Sequence, residues 1–169
     1  NVVFEQGDIY NTGKPSGSFD VVVSRFVVHH LERPIDGLKE MRRLAKRRVV
    51  IVDVTPDPNC AKDLNALEAL RDSSHVAFYP QLELTNMMQE AGLHNPKAES
   101  YRVDSLLSEW LARSFFESRQ DKDEFVRRIQ HDMEHNDSRG LDLRLSRRDG
   151  DIIWSHMVSI LSCDVNEKH

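Results

Sequence analysis

The sequence predicts an α/β fold in which parallel strands alternate with helices. Two near-continuous apolar runs, residues 19–24 and 49–53, are the main observation. Runs of this kind are typical of strands that are buried on both faces of a parallel sheet. Between them a helix is expected to begin at Pro34, because proline suits the first helical turn and apolar residues follow it at helical spacing. Strand, helix and strand in one short stretch form a βαβ unit, so the two strands are expected to be parallel neighbours.

Further elements are predicted along the rest of the chain from the same periodicities. Helices are expected over residues 61–70, 80–91 and 122–134, and strands over residues 2–4, 97–103 and 152–161. Asp104 is expected to cap a short helix that carries Trp110. The helix over residues 122–134 has a narrow apolar stripe, so we interpret it as a lid or a partner-facing surface element.

The length and composition favour one globular domain. The chain has 169 residues, of which 30% are charged and 39% hydrophobic. We expect a single domain over residues 1–163, with residues 104–140 as a helical lid or surface insertion and residues 164–169 as a frayed tail. No apolar run approaches the roughly 20 residues that a membrane-spanning helix needs, so no membrane partner is expected.

The net charge argues against nucleic-acid binding, and the cysteine spacing argues against a metal site. The net charge of −5 argues against a nucleic-acid partner, which requires clustered positive charge. The basic residues between positions 39 and 48 are interpreted as the solvated end of a helix rather than as a phosphate-binding patch. Cys60 and Cys163 lie far apart and match no metal-binding spacing, which fits reduced thiols in a cytoplasmic protein.

Four segments carry a resemblance to a known family: residues 7–9 (GDI), 17–24 (GSFDVVVS), 29–31 (HHL) and 40–43 (EMRR). Together they resemble class I S-adenosylmethionine-dependent methyltransferases, and among these the C-methyltransferases of ubiquinone and menaquinone biosynthesis. The resemblance is strong as far as about residue 55, moderate as far as about residue 110 and faint beyond it.

This resemblance implies a partial Rossmann-like methyltransferase sheet. The sheet would be mainly parallel with an antiparallel last strand, and helices would cover both faces. The implied function is transfer of a methyl group from S-adenosylmethionine to a small-molecule acceptor, with the acceptor and the methyl donor as the ligands.

Polar residues at three predicted strand ends indicate where the ligands would bind. Asp8, Ser24 and Asp53 follow or end strands, and open parallel sheets bind ligands beyond the carboxyl ends of their strands. The resemblance implies that Asp8 accepts a hydrogen bond from the adenine amino group and that Ile9 packs against the adenine ring. It places three further residues beside the methionine part of the donor: Ser24, Arg25 and Phe26. The alternative interpretation of Asp8 is a turn or cap residue.

His29 and His30 are the candidate catalytic residues. They follow the end of a strand closely, and a histidine near neutral pH can remove a proton from an acceptor. The alternative is that one ring packs against the sheet while the other caps local backbone. No metal site is expected, because adjacent histidines point apart and no carboxylate at ligand spacing joins them. His75 and Tyr79 are predicted to line the substrate side, although a histidine at such a position is more commonly a surface residue.

The sequence departs from the family in its donor-binding segment. It contains no Gly-x-Gly-x-Gly turn and no acidic residue before such a turn, so the S-adenosylmethionine site is expected to be incomplete in this chain. Residues 46–48 replace the usual turn and are expected to form a shortened loop. The resemblance also implies a bare apolar edge beside residues 19–24, where residues 2–4 fold back or two chains pair as a homodimer.

Two classes of function therefore stay open. In the first, the complete protein is a methyltransferase and this chain alone is weak or inactive. In the second, the chain is a truncated, non-catalytic module that acts through dimerisation or protein binding. Another doubly wound fold, such as a receiver or flavodoxin-like domain, explains the strands but not residues 18–30.

Overall fold

The computed structural model describes residues 1–135 and 140–165. Its strands are β1 (Phe19–Arg25), β2 (Ala45–Val54), β3 (Lys97–Leu106), β4 (Ser146–Arg148) and β5 (Asp151–Asp164). Its helices are α1 (Pro34–Leu44), α2 (Ala61–Arg71), α3 (Gln81–Glu90), α4 (Leu107–Ala112) and α5 (Arg119–His135), with a 3₁₀ turn at Val28–His30. Within these residues, no helix is both long and apolar enough to cross a membrane.

The strands form one sheet in the order β1-β2-β5-β3, with β4 paired to β5. β1 and β2 are parallel, whereas β5 runs antiparallel to β2, β3 and β4. Four strands thus point one way and only β5 points the other way. This confirms the predicted α/β class, its βαβ unit and its antiparallel last strand.

Alternating side chains of the sheet build two hydrophobic cores. Val49 and Ile51 of β2 pack with residues of α1 and α3, whereas Val54 packs with residues of α2, α4 and α5. On β5, Leu161 belongs to the first core and Trp154 to the second. Because side chains alternate between the faces of a strand, the two cores lie on opposite sides of the sheet. This confirms that helices cover both faces.

β2 begins earlier than the sequence predicts. It starts at Ala45 opposite Phe19 of β1, so residues 46–48 belong to the strand, and the predicted shortened loop is wrong. Arg48 also pairs with Asp164 of β5 at 2.7 Å between Nε and Oδ1. The basic stretch is therefore only partly a helix end, because its last residue, Arg48, has backbone partners in both neighbouring strands.

The predicted strand at residues 2–4 is not formed. Val2, Val3 and Phe4 are 80%, 75% and 92% exposed and lie outside regular structure. They do not fold back onto the outer edge of β1, and that prediction is wrong. Three residues supply too few backbone hydrogen bonds and too little buried area to offset the cost of ordering them.

The region from residue 104 differs from its prediction. Asp104 pairs with Ser155 in the ladder between β3 and β5 and does not cap a helix. Instead Asp151 supplies the acceptor for the start of α4, through hydrogen bonds from the backbone and hydroxyl of Ser108. Strand β4 was also missed. It forms a hairpin with β5 through Asp149 and Gly150, whose φ angles of 52° and 84° are those of a type I′ turn.

Helix α5 packs on α2 and on the second core. Phe125 and Ile129 are fully buried, so the narrow apolar stripe suffices to anchor this helix. Residues 104–106 belong to β3, and a lid role for the following segment stays a prediction. At the carboxyl end, Asp164 ends β5 and the Val165 amide donates to the Arg47 carbonyl. The remainder of the predicted tail, residues 166–169, lies outside the described residues, as do residues 136–139 of the predicted lid.

Glu40 of α1 binds Thr12 in the segment that precedes β1. Its Oε1 accepts hydrogen bonds from the Thr12 amide at 2.9 Å and the Thr12 hydroxyl at 2.7 Å. Arg43 donates to both carboxylate oxygens at 2.7 and 2.6 Å. The Arg43 hydrogen bonds chiefly, and then those of Thr12, lower the pKa of Glu40 from 4.5 to about 2.

We expect Glu40→Gln to lower the free energy of unfolding at pH 7 by about 1 to 2 kcal/mol, since hydrogen bonds to a charged group are lost. The pKa of Glu40 is depressed by folding, so its contribution is present above pH 4.5 and is lost as the pH falls towards 2. The difference between wild type and variant should shrink over that interval in urea unfolding. A difference that is constant with pH would contradict this role, and Thr12→Val serves as a control that leaves the Arg43 contact.

Candidate active site

The candidate site lies at the carboxyl ends of β1 and β2. After β1, Phe26 adopts a φ of 54°, and its amide donates to the Val52 carbonyl at 2.8 Å. This left-handed residue turns the chain so that the 3₁₀ turn at Val28–His30 packs against the end of β2. His29 is thereby placed beside Asp53, the residue before the end of β2.

His29 and Asp53 form a buried pair. The ring Nδ1 of His29 lies 2.6 Å from Asp53 Oδ1, and the two residues are 8% and 3% exposed. Asp53 also accepts hydrogen bonds from the Val54 amide at 2.8 Å and the His29 amide at 3.3 Å. Because a carboxylate only accepts, His29 Nδ1 carries a hydrogen, so Nε2 is the basic atom of the neutral imidazole. His29 therefore has the form of an oriented proton acceptor.

His30 lies beside this pair but closer to solvent. Its ring centroid is 4.1 Å from that of His29. Its Nδ1 is 3.0 Å from the Ser74 carbonyl oxygen, to which it donates. One ring is buried and the other binds local backbone, as the structural interpretation of the histidine pair expects. A catalytic role of either histidine stays a prediction.

His75 lies near His29 and is bound by Asn65. Its Nε2 is 2.9 Å from Asn65 Oδ1, which also accepts the Phe78 amide at 2.7 Å. A backbone amide only donates, so this atom of Asn65 is the oxygen and His75 Nε2 carries a hydrogen. Burial chiefly, with smaller contributions from His29 and His30, lowers the pKa of His75 to about 4. His75 is therefore neutral near pH 7, with its ring centroid 5.7 Å from that of His29.

Backbone contacts attach the segment that carries His75 and Tyr79 to the 3₁₀ turn. The amides of Val76 and Ala77 both donate to the His29 carbonyl, at 2.9 and 3.0 Å. Tyr79 then packs against the core formed by α1 and α3. Burial, followed by the nearby Glu83 and Asp53, raises the pKa of the Tyr79 phenol. The hydroxyl therefore stays protonated near neutral pH.

The predicted donor-binding residues lie in three environments. Ser24 is 6% exposed, and its Oγ has no hydrogen-bond partner among the described residues. Arg25 is exposed and lies over the Phe26 ring, with 4.6 Å from its guanidinium carbon to the ring centroid. Asp8 is exposed and accepts the Tyr10 amide at 2.9 Å, as a turn residue does. Its role at adenine stays a prediction.

Ile9 lies near the first turn of α1. A Cβ atom on Gly37 would come within 3.9 Å of Ile9 Cγ1 and within 2.8 Å of Leu31 Cδ1. The chain therefore approaches the helix closely at Gly37, where a larger residue would displace Leu31. This position fits a structural contact, and the predicted adenine contact of Ile9 stays a prediction.

The structure brings together His29, His30 and His75, and it adds residues that the sequence analysis did not assign to the site. Asp53 was recognised at a strand end, but its contact with His29 was not. Asn65 on α2 was missed, because nothing in its local sequence indicates a contact with the segment around Phe78. Within the residues that the structure describes, no cluster of histidine, cysteine or carboxylate side chains could hold a metal ion.

Comparison with known sequences identifies the family. A family model described as a methyltransferase domain matches residues 1–97, which is more than half of the chain. YafE of Escherichia coli (strain K12) is 31% identical over 117 residues, covering 67% of this chain and 56% of YafE. YcgJ of Bacillus subtilis (strain 168), an uncharacterized methyltransferase, is 28% identical over 117 residues, covering 67% of this chain and 46% of YcgJ. The chain therefore spans about half the length of these relatives.

Solved structures share the fold. The crystal structure of YcgJ superposes with a TM-score of 0.79 at 19% identity, covering 98% of this chain and 71% of YcgJ. The BH2331 protein of Bacillus halodurans C-125 gives a TM-score of 0.78 at 20% identity, covering 97% of this chain and 78% of that protein. The subgroup of ubiquinone and menaquinone C-methyltransferases stays a prediction. The chain belongs to the methyltransferase-domain family, and its fold is that of the S-adenosylmethionine-dependent methyltransferases.

Proposed function

We propose that the protein transfers a methyl group from S-adenosylmethionine to a small-molecule acceptor, and that His29 accepts the acceptor's proton. The buried pair of His29 and Asp53 at the strand ends carries this proposal, because it orients the His29 ring where ligands bind in folds of this type. The proposal concerns the whole protein, since the chain spans about half the length of its relatives.

One atom of the predicted donor-binding residues, Ser24 Oγ, supports this proposal. Ser24 Oγ is buried without a described protein partner, and a buried hydroxyl in this situation is stabilised by a ligand that hydrogen-bonds to it. Ser24, Arg25 and Phe26 would hold the methionine part of the donor, and Asp8 and Ile9 the adenine. Bound S-adenosylmethionine supplies a methyl group that its sulfonium charge already activates.

The chain's own residues orient the proton acceptor and take up the proton. Asp53 fixes the His29 ring and stabilises the imidazolium that forms when Nε2 takes up a proton. Phe78, whose ring centroid is 4.8 Å from that of His29, is buried and keeps water from one side of the ring. His75 is neutral near pH 7 and so adds no positive charge that would oppose protonation of His29. His30 is the second candidate for the proton acceptor.

Titration calorimetry with S-adenosylhomocysteine tests donor binding by this chain. We expect measurable binding that Ser24→Ala weakens by about two- to tenfold, the effect of one lost hydrogen bond. Ser18→Ala, before the opposite end of β1, is the matched control and should leave the affinity unchanged. No heat of binding from a folded sample would contradict donor binding by this chain, and equal affinities for wild type and Ser24→Ala would exclude Ser24.

The compartment is a further part of the proposal. Cys60 and Cys163 are both buried thiols in the described part of the chain. Buried thiols of this kind support a reducing compartment such as the cytoplasm.

A second candidate function is assembly through the edge of β1. Phe19, Val21 and Val23 alternate along this strand and are 46%, 47% and 59% exposed. In the described residues, β1 pairs only with β2, so the backbone groups of its outer edge are available to another strand. We propose that two copies pair here, because one edge strand meeting its own copy forms a self-complementary twofold contact.

Sedimentation velocity over a range of protein concentrations tests the pairing. We expect the wild type to show a dimer that Val21→Lys converts to a monomer, because a lysine at the edge of a sheet opposes strand addition. Val76→Lys is the control, since Val76 is exposed to a similar extent, 43% against 47%, but lies elsewhere. A wild type that is monomeric at every concentration would exclude pairing through this edge.

A further inference from the structure

A chain of hydrogen bonds leads from Asp72 through Ser74 to His30. Asp72 Oδ1 accepts the Ser74 hydroxyl at 2.6 Å and the Ser74 amide at 2.9 Å. The Ser74 hydroxyl oxygen lies 3.1 Å from His30 Nδ1, and the Ser74 carbonyl oxygen lies 3.0 Å from the same atom. The local turn that the Asp72 carboxylate makes with Ser74 therefore places both oxygen atoms that contact His30.

The hydrogen atoms in this chain have one consistent arrangement. Burial raises the pKa of Asp72, but the two Ser74 hydrogen bonds, together with His30 and Arg71, outweigh burial and lower it. The carboxylate is therefore ionised near neutral pH and only accepts, so the Ser74 hydroxyl hydrogen points to Asp72. Both Ser74 oxygens are left to accept the hydrogen on His30 Nδ1. In the neutral imidazole, Nε2 is then the accepting atom.

Backbone contacts hold this turn on both sides. Before it, the Phe115 amide donates to the Arg71 carbonyl at 3.1 Å. After it, the amides of Val76 and Ala77 donate to the His29 carbonyl at 2.9 and 3.0 Å. The segment that binds the ring is thus attached to the same 3₁₀ turn that carries the ring, as expected of residues that support a binding group.

The second ring nitrogen of His30, Nε2, lies on the side of the ring away from Ser74. His30 is only partly buried, and its Nε2 has no hydrogen-bond partner among the described residues. The ring centroid of His30 is 4.1 Å from that of His29. A group that donates a hydrogen bond to His30 Nε2 would therefore lie beside the proposed proton acceptor.

We infer that Ser74 and Asp72 are positioning residues for His30, whose Nε2 accepts a hydrogen bond from a hydroxyl or N–H group of the methyl acceptor. The assignment to the methyl acceptor rests on the proposed methyl transfer, whereas the positioning of His30 does not. This hydrogen bond orients the acceptor while His29 takes up the proton, and orientation of a bound reactant lowers the barrier to its reaction.

The ring ¹⁵N shifts of His30 report its tautomer, and they are measured at a pH above which they no longer change. We expect the wild type to carry the hydrogen on Nδ1. Ser74→Ala keeps the carbonyl but removes the hydroxyl, so the preference for Nδ1–H should fall about two- to tenfold. Ser74→Thr retains a hydroxyl and should restore the wild-type shifts. Ser73→Ala is the matched control, because Ser73 is also exposed but makes no hydrogen bond to His30 in the described part of the chain.

The same signals test Asp72. Asp72→Ala removes the acceptor of both Ser74 hydrogen bonds, so the preference for Nδ1–H should fall by at least as much as in Ser74→Ala. Asp72→Asn keeps an accepting oxygen and should retain most of the preference. If Asp72→Ala does not fold, Ser74→Ala decides, because Ser74 is exposed and its replacement removes only a hydroxyl. Wild-type shifts in Ser74→Ala would overturn the inference.

Phenol is the probe for the hydrogen bond to Nε2, and anisole is the control of similar shape without an O–H group. We expect phenol to shift the His30 Nε2 signal in a saturable manner, and anisole not to do so. Ser74→Ala should weaken phenol binding about two- to fivefold, and Ser74→Thr should restore it. No shift with phenol, or equal shifts with both compounds, would overturn the inference. A phenol response without binding of S-adenosylhomocysteine would contradict the proposed function and leave the positioning of His30 intact.

Discussion

Replacing His29 with glutamine is expected to lower the rate of methyl transfer by about 10²- to 10⁴-fold, the usual contribution of a general base. Asp53 holds His29 Nδ1 at 2.6 Å and leaves Nε2 as the basic atom. Glutamine keeps a polar side chain of similar length but has no basic nitrogen. The measurement is kcat with an acceptor on which the wild-type protein is active, together with S-adenosylhomocysteine affinity, which should stay unchanged.

His30→Gln is the matched control for this prediction. Its ring neighbours that of His29, but its Nδ1 binds the Ser74 carbonyl rather than a carboxylate. We expect a smaller loss of kcat than for His29→Gln. The reverse order of the two effects would assign the proton transfer to His30.

Asp53→Asn tests the orientation of the His29 ring independently of the acceptor. Both oxygens of Asp53 accept hydrogen bonds, from His29 Nδ1, the Val54 amide and the His29 amide. In asparagine, one of these positions becomes an NH₂ group that faces a donor. At the Oδ1 position it faces His29 Nδ1 and removes the preference for one tautomer, whereas at the Oδ2 position it faces the His29 amide. The ¹⁵N shifts of His29 should change from an Nδ1–H pattern to a mixture, and unchanged shifts would exclude this role for Asp53.

The central strands could be predicted because their signal is local. Residues 19–24 and 49–53 are continuous apolar runs, and in the structure they lie in the interior of the β1–β2 ladder. The helix that begins at Pro34 was predicted for the same reason, since its apolar spacing is set within one segment. These elements need no knowledge of distant residues.

The wrong predictions concern segments whose structure depends on residues far away in the sequence. Ala45 to Arg48 is extended because β1 and β5 provide partners, and its basic sequence gives no indication of this. Asp104 has the composition of a helix cap but pairs with Ser155, about 50 residues later in the chain. By contrast, the turn at Asp149–Gly150 has a local sequence signal, so this hairpin could have been predicted from the sequence.

The sequence predicted several residues of the candidate site, but it did not predict the contacts between them. His29 and His75 were selected from their chemistry, and the structure brings their rings to within 5.7 Å. The contact of His29 with Asp53 depends on the left-handed turn at Phe26, which the sequence does not specify for a phenylalanine.

Replacing Arg71 with methionine is expected to lower the free energy of unfolding at pH 7 by about 3 to 5 kcal/mol, because it leaves a buried carboxylate without its partner. Glu68 is 1% exposed, and Arg71 donates two hydrogen bonds to its Oε2. Burial raises the pKa of Glu68, and Arg71 opposes this effect. A carboxyl group whose pKa is raised by folding binds more protons in the folded state, so its penalty grows as the pH rises above 4.5.

The loss of stability in Arg71→Met should therefore be small near pH 4 and large at pH 7, as measured by urea unfolding. Glu68→Met combined with Arg71→Met should recover most of the lost stability, since apolar side chains of similar volume replace a buried ion pair with little cost. Arg127→Met is the matched control, because Arg127 and Glu124 form the same i, i+3 pair at the surface, where little effect is expected. A loss at pH 7 that persists in the double variant would show that Arg71 stabilises the fold through its packing on Trp110 rather than through Glu68.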